Sequence, residues 1–228
     1  MKVIGLLGGI ASGKSFVAEL FRQRGAVVLD GDRAGHEVLR DKEVKQAVRQ
    51  RWGDKVFGPD GEIDRGALAK KVFAPRIGRR ETLSASPSMA VDDSLPRQTA
   101  TDSPSTNPTG ELEYLERLTH PRIAVRLAQQ VRAAVDNCAP AVVVDAAVMI
   151  KAGWDALCDT LVFVDAPREV RLQRARQRGW TEEEFGRREA AQESLDEKRA
   201  RADVIIDNAG SPDDTSAQVE QFWHALHS

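Results

Sequence analysis

Apolar and polar positions divide the chain into five short apolar runs separated by amphipathic stretches. The runs, residues 3–7, 26–29, 141–144, 161–164 and 204–206, are compact and dominated by Val, Ile and Leu. Such a run, bounded by turn residues and lacking polar alternation, predicts a strand buried on both faces of a parallel sheet. After the first run, Phe16, Val17, Leu20 and Phe21 recur at helical spacing over residues 14–24, and Gly25 stops that helix. Helical patterns continue to residue 51, with His36, Val38 and Leu39 near one face, before turn signals at Trp52-Gly53 and Gly58-Pro59-Asp60-Gly61. Leu112, Leu115, Leu118, Ile123, Leu127 and Val131 form an amphipathic run that His120-Pro121 is expected to interrupt. An Arg-rich helical stretch comes after the fourth strand, and a last helix spans about residues 213–226. Strands alternating with helices predict an α/β fold with a mainly parallel sheet covered on both faces.

One segment breaks the pattern. Over residues 82–110, Ser, Thr and Pro fill 15 of the 29 positions, and the apolar residues show no period. It cannot bury enough surface to offset its ordering entropy and is expected to be a disordered surface insert.

Composition narrows the function classes. In 228 residues, 41% apolar and 30% charged, there is room for one α/β domain with an accessory lobe. A net charge of -2 gives no reason to expect a nucleic-acid or membrane surface. No stretch approaches the roughly 18 apolar residues of a membrane span, and the first apolar run is too short for a signal peptide. Cys138 and Cys158 fit neither a metal spacing nor a disulfide framework. A cytoplasmic protein with reduced thiols is expected.

The chemistry begins at Gly8-Gly9-Ile10-Ala11-Ser12-Gly13-Lys14-Ser15, which fits Gly-x4-Gly-Lys-Ser/Thr. Glycines let the backbone curl so that successive N–H groups converge on one anion at the start of a helix. In this pattern Lys14 reaches the β- and γ-phosphates of ATP, and the Ser15 hydroxyl helps hold Mg²⁺. The motif lies between a predicted buried strand and an amphipathic helix, the context it requires. The expectation is a P-loop NTPase fold, with Gly9, Ile10, Ala11, Ser12, Gly13, Lys14, Ser15 and Phe16 at the nucleotide; the Phe16 side chain itself is expected in the core.

A GTPase would carry a guanine-reading Asn-Lys-x-Asp, which is missing, and a motor or transport ATPase would be much larger. A small-molecule kinase places an acidic residue after the second strand, and Asp30-Gly31-Asp32 occupies that position. A carboxylate there can take or orient the proton of a hydroxyl attacking the γ-phosphorus. Asp32 suits that role, whereas Asp30 suits a turn or helix cap. Asp145, at the end of the third strand, is placed either to hold Mg²⁺ through water or to cap a helix. Arg171, Arg174 and Arg178 are spaced i, i+3, i+7 and share one helix face, which can close over a triphosphate or simply remain solvated.

Several motifs in order extend the pattern: Asp60-Gly61-Glu62-Ile63-Asp64-Arg65, His120-Pro121-Arg122-Ile123, Arg174 with Arg178, Arg188-x-x-x-Gln192, Lys198, and residues 202–210 with Asn208. Together with the Gly-rich loop and the Asp-x-Asp, they resemble the dephospho-coenzyme A kinase family over nearly the whole chain except the insert. The resemblance implies that ATP, with Mg²⁺, phosphorylates the ribose 3′-hydroxyl of dephospho-coenzyme A. It implies Asp32 as base or hydroxyl-orienting group, Arg174 and Arg178 as lid arginines acting with Lys14 in catalysis, and Asn208 near adenine. His120-Pro121 is expected either at the acceptor or as a structural turn. The implied organisation is a single kinase domain. Its core covers about 1–30, 138–167 and 202–228, its acceptor lobe about 31–135, and its lid about 168–195. Relatives carry Pro-Leu-Leu after the third strand where this chain has residues 146–151, and arginine where it has His36. Another small-metabolite kinase, or a nucleotide-binding regulator without catalysis, are the other readings.

Overall fold

In a computed structural model, residues 1–73 and 108–227 are described. They form five strands, β1 (Lys2–Gly8), β2 (Val27–Asp30), β3 (Ala141–Asp145), β4 (Thr160–Asp165) and β5 (Val204–Asp207). All pair in parallel, in the order β2-β3-β1-β4-β5. The helices are α1 (Lys14–Gln23), α2 (Gly31–Val38), α3 (Lys42–Trp52), α4 (Arg65–Val72), α5 (Pro108–Asp136), α6 (Arg168–Gln177), α7 (Glu182–Ala190), α8 (Leu195–Ala200) and α9 (Pro212–His227). The five apolar runs are thus the five strands, and the expected fold class holds.

The chain divides into two compact units, Met1–Val38 with His120–Ser228, and Leu39–Thr119. In the larger unit, Ile4, Leu6, Val143, Val162, Val164 and Ile206 of the sheet meet Val17, Leu20 and Phe21 of α1 and Val219 of α9 in one buried cluster. Phe21 lies edge-on to Phe222, with ring centroids 5.9 Å apart. Each large apolar side chain so buried contributes about 1.5–3 kcal/mol. This packing fixes α1, and with it the loop at its N-terminus. Gly25, at φ 93°, ends the helix as expected, its N–H bonding to Arg22 O.

The smaller unit is built on Val44, Val48, Val56, Leu68 and Val72. Asp64 caps α4 by accepting from Gly66 and Ala67 N–H. Glu111 gathers Arg51 and the Trp52 indole N–H at 2.8 and 2.7 Å.

Two expectations need correction. The chain does not break at His120-Pro121: α5 runs through Pro121 unbroken. Proline supplies no N–H to the ladder, but Ile123, Leu127 and Ala134 beyond it are buried, and their burial holds the helix. His36 is exposed, and it is Ala34 that shares the buried side of α2 with Val38. The insert expected at 82–110 falls outside the described residues except for its last three positions, which open α5. Residues 31–38 and 120–135, placed on sequence in the acceptor lobe, group with the larger unit. Cys158 is a packing thiol, pushed up to about 12 by burial and then by Asp155 and Asp159.

Candidate active site

The C-terminal edge of the sheet is where chemistry-bearing residues collect. β1 ends at Gly8, and the loop to α1 turns through Ala11 at φ 58° and Gly13 at φ 99°, both left-handed. Ser12 N–H bonds back to Gly9 O, and Phe16 N–H to Gly13 O. At Gly13 a side chain is excluded on two counts, since a Cβ would also lie 2.0 Å from Asn208 Nδ2. Lys14 and Ser15 therefore begin α1 directly at the loop, where unpaired N–H groups favour an anion.

On the β3–β2 side the strand ends are acidic. Asp30 and Asp145 are register partners on adjacent strands, and Asp145 is also the partner of Leu6 on β1. Asp30 Oδ1 accepts Arg33 N–H at 3.0 Å, the capping role expected of it. Asp32 stands exposed in the first turn of α2. Burial raises the Asp145 carboxyl above its ordinary range, the Lys14 charge opposes this, and Asp30 and Asp32 add to it. Lys14 and three carboxylates thus share one field.

On the β4–β5 side the strands also end in register-paired aspartates, Asp165 and Asp207, but the helix beyond β4 is basic, and most of its arginines are already engaged. Arg171, Arg174 and Arg178 do not present one common face to the loop. Arg171 is 4% exposed and turned inward, with Nη2 2.7 Å from Glu189 Oε1 and Nε donating to Ala166 O. Burial pushes the Glu189 carboxyl up, but hydrogen bonds and charge from Arg171 and Arg168 outweigh it and hold the group low. Arg174 donates through Nη1 to Ser12 O at 3.0 Å and through Nη2 to Asn208 O at 2.7 Å. Burial, then the neighbouring Arg178, lower its guanidinium from the usual range. Arg178 is exposed.

Asn208 is buried just past β5. Its Nδ2 donates to Ser12 O at 2.7 Å, and its Oδ1 accepts from Thr215 Oγ1 at 3.0 Å. Beside it lies a cleft of about 260 Å³ lined by Gly13, Phe16, Arg174, Arg178, Asn208, Gly210 and Pro212. Phe16 is 37% exposed there, not in the core as expected: the inward positions of α1 are Val17, Ala18, Leu20 and Phe21.

Two engaged residues had no role on sequence grounds, although both lie in the family's motifs. Gln192 Oε1 accepts the loop amide of Ile10 at 3.0 Å, and Lys198 is buried on α8. Thr215 and Glu189 gave no signal at all.

A five-stranded parallel sheet with a Gly-x4-Gly-Lys-Ser loop between β1 and α1 is the architecture of a P-loop kinase. The family model for dephospho-CoA kinase matches residues 2–103 and 87–214. The dephospho-CoA kinase of Symbiobacterium thermophilum is 38% identical over 228 residues, 99% of this chain and 81% of that protein. The crystal structure of TT1252 from Thermus thermophilus superposes with a TM-score of 0.72 at 28% identity, covering 99% of this chain and 97% of that one. The dephospho-CoA kinase structure from Campylobacter jejuni shares the fold, at a TM-score of 0.59 and 18% identity, over 99% and 97% of the two chains. This chain belongs to the dephospho-CoA kinase family.

Proposed function

We propose that this chain transfers the γ-phosphate of ATP to the ribose 3′-hydroxyl of dephospho-coenzyme A, giving coenzyme A and ADP. The observation that carries this reading, beside the family, is the Gly-Lys-Ser loop opening α1 at the end of β1, with Asp145 and Asp30 paired in register on the adjoining strands. The loop amides and Lys14 hold the β- and γ-phosphates. The cleft beside Asn208 takes the adenine, with Phe16 and Pro212 as apolar walls and Arg174 and Arg178 as the cationic rim.

Asp32 accepts or orients the acceptor hydroxyl's proton. The hydroxyl oxygen forms its bond to the γ-phosphorus as the bond to the β-phosphate oxygen breaks, and ADP leaves carrying that electron pair. Catalysis is positioning and electrostatics, without a covalent enzyme intermediate. Lys14, Arg174 and Arg178 offset the charge that spreads over the transferred group.

Ser15 and Asp145 would hold Mg²⁺. They are hard oxygen donors, and a cation would offset the burial and, after it, the neighbouring carboxylates that raise the Asp145 carboxyl. Among the described residues no group of three or more His, Cys, Asp or Glu side chains is placed to hold a metal. That suits an ion completed by substrate phosphates and water, which when bound would neutralise phosphate charge. No helix among the described residues is long and apolar enough to cross a membrane.

The test is incubation with ATP, Mg²⁺ and dephospho-coenzyme A, monitoring ADP release and identifying the product by mass. Phosphorylated product is expected, with turnover falling at least ~10²–10³-fold in Lys14→Ala at unchanged far-ultraviolet circular dichroism. ADP release with another acceptor from a panel, and none with dephospho-coenzyme A, would overturn the proposal.

A further inference from the structure

Three buried side-chain polar atoms among the described residues lack a hydrogen-bond partner: Ser12 Oγ, Arg171 Nη1 and Glu193 Oε2. Two are at the phosphate-binding loop, and the third adjoins in sequence a residue that holds it. Ser12 is in the loop, and a methyl group on Gly9 would lie 3.1 Å from Arg171 Nη1. Glu193 comes directly after Gln192, whose side chain holds the Ile10 amide. Buried polar atoms are nearly always satisfied, so a cluster of exceptions at one place marks a site whose partner arrives from outside.

Glu193 faces Lys198, with Nζ 3.6 Å from Oε2, an ion-pair separation too long for a hydrogen bond. Lys198 is 2% exposed, whereas Asp196, Glu197 and Arg199 of the same short helix are exposed. The helix begins at Leu195, whose methyl carbons lie 3.1 and 3.3 Å from the position of a Cβ on Gly9. It therefore turns one lysine inward beside the end of β1. Burial, and further the Lys14 charge, push the Lys198 ammonium below the usual lysine range, while Glu193 pulls it back up. A buried lysine next to a second cation, with one loosely held carboxylate, is a poor stabilising device. Well-packed apolar residues in its place would serve stability as well or better.

We propose that Lys198 is a second cation for the terminal phosphate of the bound nucleotide, held against Glu193 until the nucleotide arrives. This deepens the kinase reading and rests on it. The incoming phosphate relieves the repulsion between Lys14 and Lys198 and offers the ammonium acceptors that Glu193 only partly supplies. Because α8 already packs against the loop through Leu195 and Gly9, little reorganisation is needed as charge shifts during transfer. Lys14 approaches the phosphates along α1 and Lys198 from α8, so the transferred group is met by positive charge from two elements.

The experiment compares wild type, Lys198→Met and the Glu193→Gln/Lys198→Met double variant. ATP and ADP affinities are measured by calorimetry without acceptor, and kcat with dephospho-coenzyme A. Both variants are expected to bind ATP ~10-fold or more weakly, the equivalent of one charge-assisted hydrogen bond, with ADP affinity unchanged. Their kcat is expected to fall ~10²-fold. The double variant buries no unpaired charge, so it keeps the question open to measurement if Lys198→Met alone fails to fold. Recovery of wild-type ATP affinity and kcat in the double variant would make Lys198 a mere counter-ion for Glu193 and overturn the proposal. So would a wild-type ratio of ATP to ADP affinity in Lys198→Met. If the wild type fails to phosphorylate dephospho-coenzyme A, the kinase reading falls, while the affinity ratio still decides on Lys198.

Discussion

On one side of β1, β3 and β2 end in Asp145 and Asp30, with Asp32 just beyond; on the other, β4 and β5 lead to Arg171, Arg174 and Asn208. All four flanking strands end in an aspartate, Asp165 and Asp207 on the second side, but the helix beyond β4 is basic, and the flanks also differ in how far the protein has answered their charge. Asp32 is exposed and Asp145 is raised by its surroundings, whereas Arg171 is tied to Glu189 and Arg174 to two backbone carbonyls. On the proposed reading, the acidic flank holds charge in reserve for a proton and a metal ion. The basic flank uses much of its charge in bracing the loop, and Arg178 is its exposed member. A charged side chain at this edge of the sheet is thus left available or made structural according to whether neighbouring groups have already claimed it.

The widest effect expected separates two carboxylates of the acidic flank. Asp32→Asn is expected to lower kcat by ~10²–10⁴-fold, the usual range for a positioned acid–base group, while Asp30→Asn retains most activity because asparagine caps a helix as well as aspartate does. ADP-release assays on the pair decide this, and wild-type turnover by Asp32→Asn would break the comparison.

A smaller effect tests the bracing. Arg171→Leu leaves Glu189 with only Arg168 and is expected to cost about 2–3 kcal/mol, within or just below the range for a broken buried pair, since Glu189 keeps partial exposure. Urea unfolding measures it, and an undiminished midpoint would show that the arginine is no brace.

The smallest effect concerns Asp145. A carboxyl whose folded value lies above its unfolded one contributes stability that is complete at low pH and is lost as pH rises through the folded value. Asp145→Asn removes that loss. Without nucleotide or metal, its melting temperature should therefore exceed that of wild type at neutral pH, with the gap closing on acidification. A gap that widens towards low pH would mean that Asp145 is stabilised as a carboxylate instead.

The strands and the first loop were legible because each rests on local information: an apolar run of fixed length, then glycines before a lysine and a helix. The carboxylates were legible for the same reason, as each stands at the end of such a run. What escaped depended on tertiary partners. The spacing of Arg171, Arg174 and Arg178 is indeed helical, yet Glu189, Ser12 O and Asn208 O take the first two in different directions. Phe16 counted as one more apolar residue, and only the position of the loop cleft decides that it faces outward. Lys198 belongs to a helix of six residues, too short for any period to separate an inward lysine from its exposed neighbours. Pro121 misled in the opposite sense, because a local rule against helix was overruled by burial further along α5.

The missing side chain at Gly13 has a consequence for ligand design. Only because that position is bare can the Asn208 amide reach the Ser12 carbonyl, and Arg174, donating to both Ser12 O and Asn208 O, doubles the tie between the cleft's corner and the loop turn. A compound that wedges Asn208 aside would strip the Ser12 carbonyl of one of its two donors. On the proposed reading it would loosen the loop under the phosphates while filling only the space of the base.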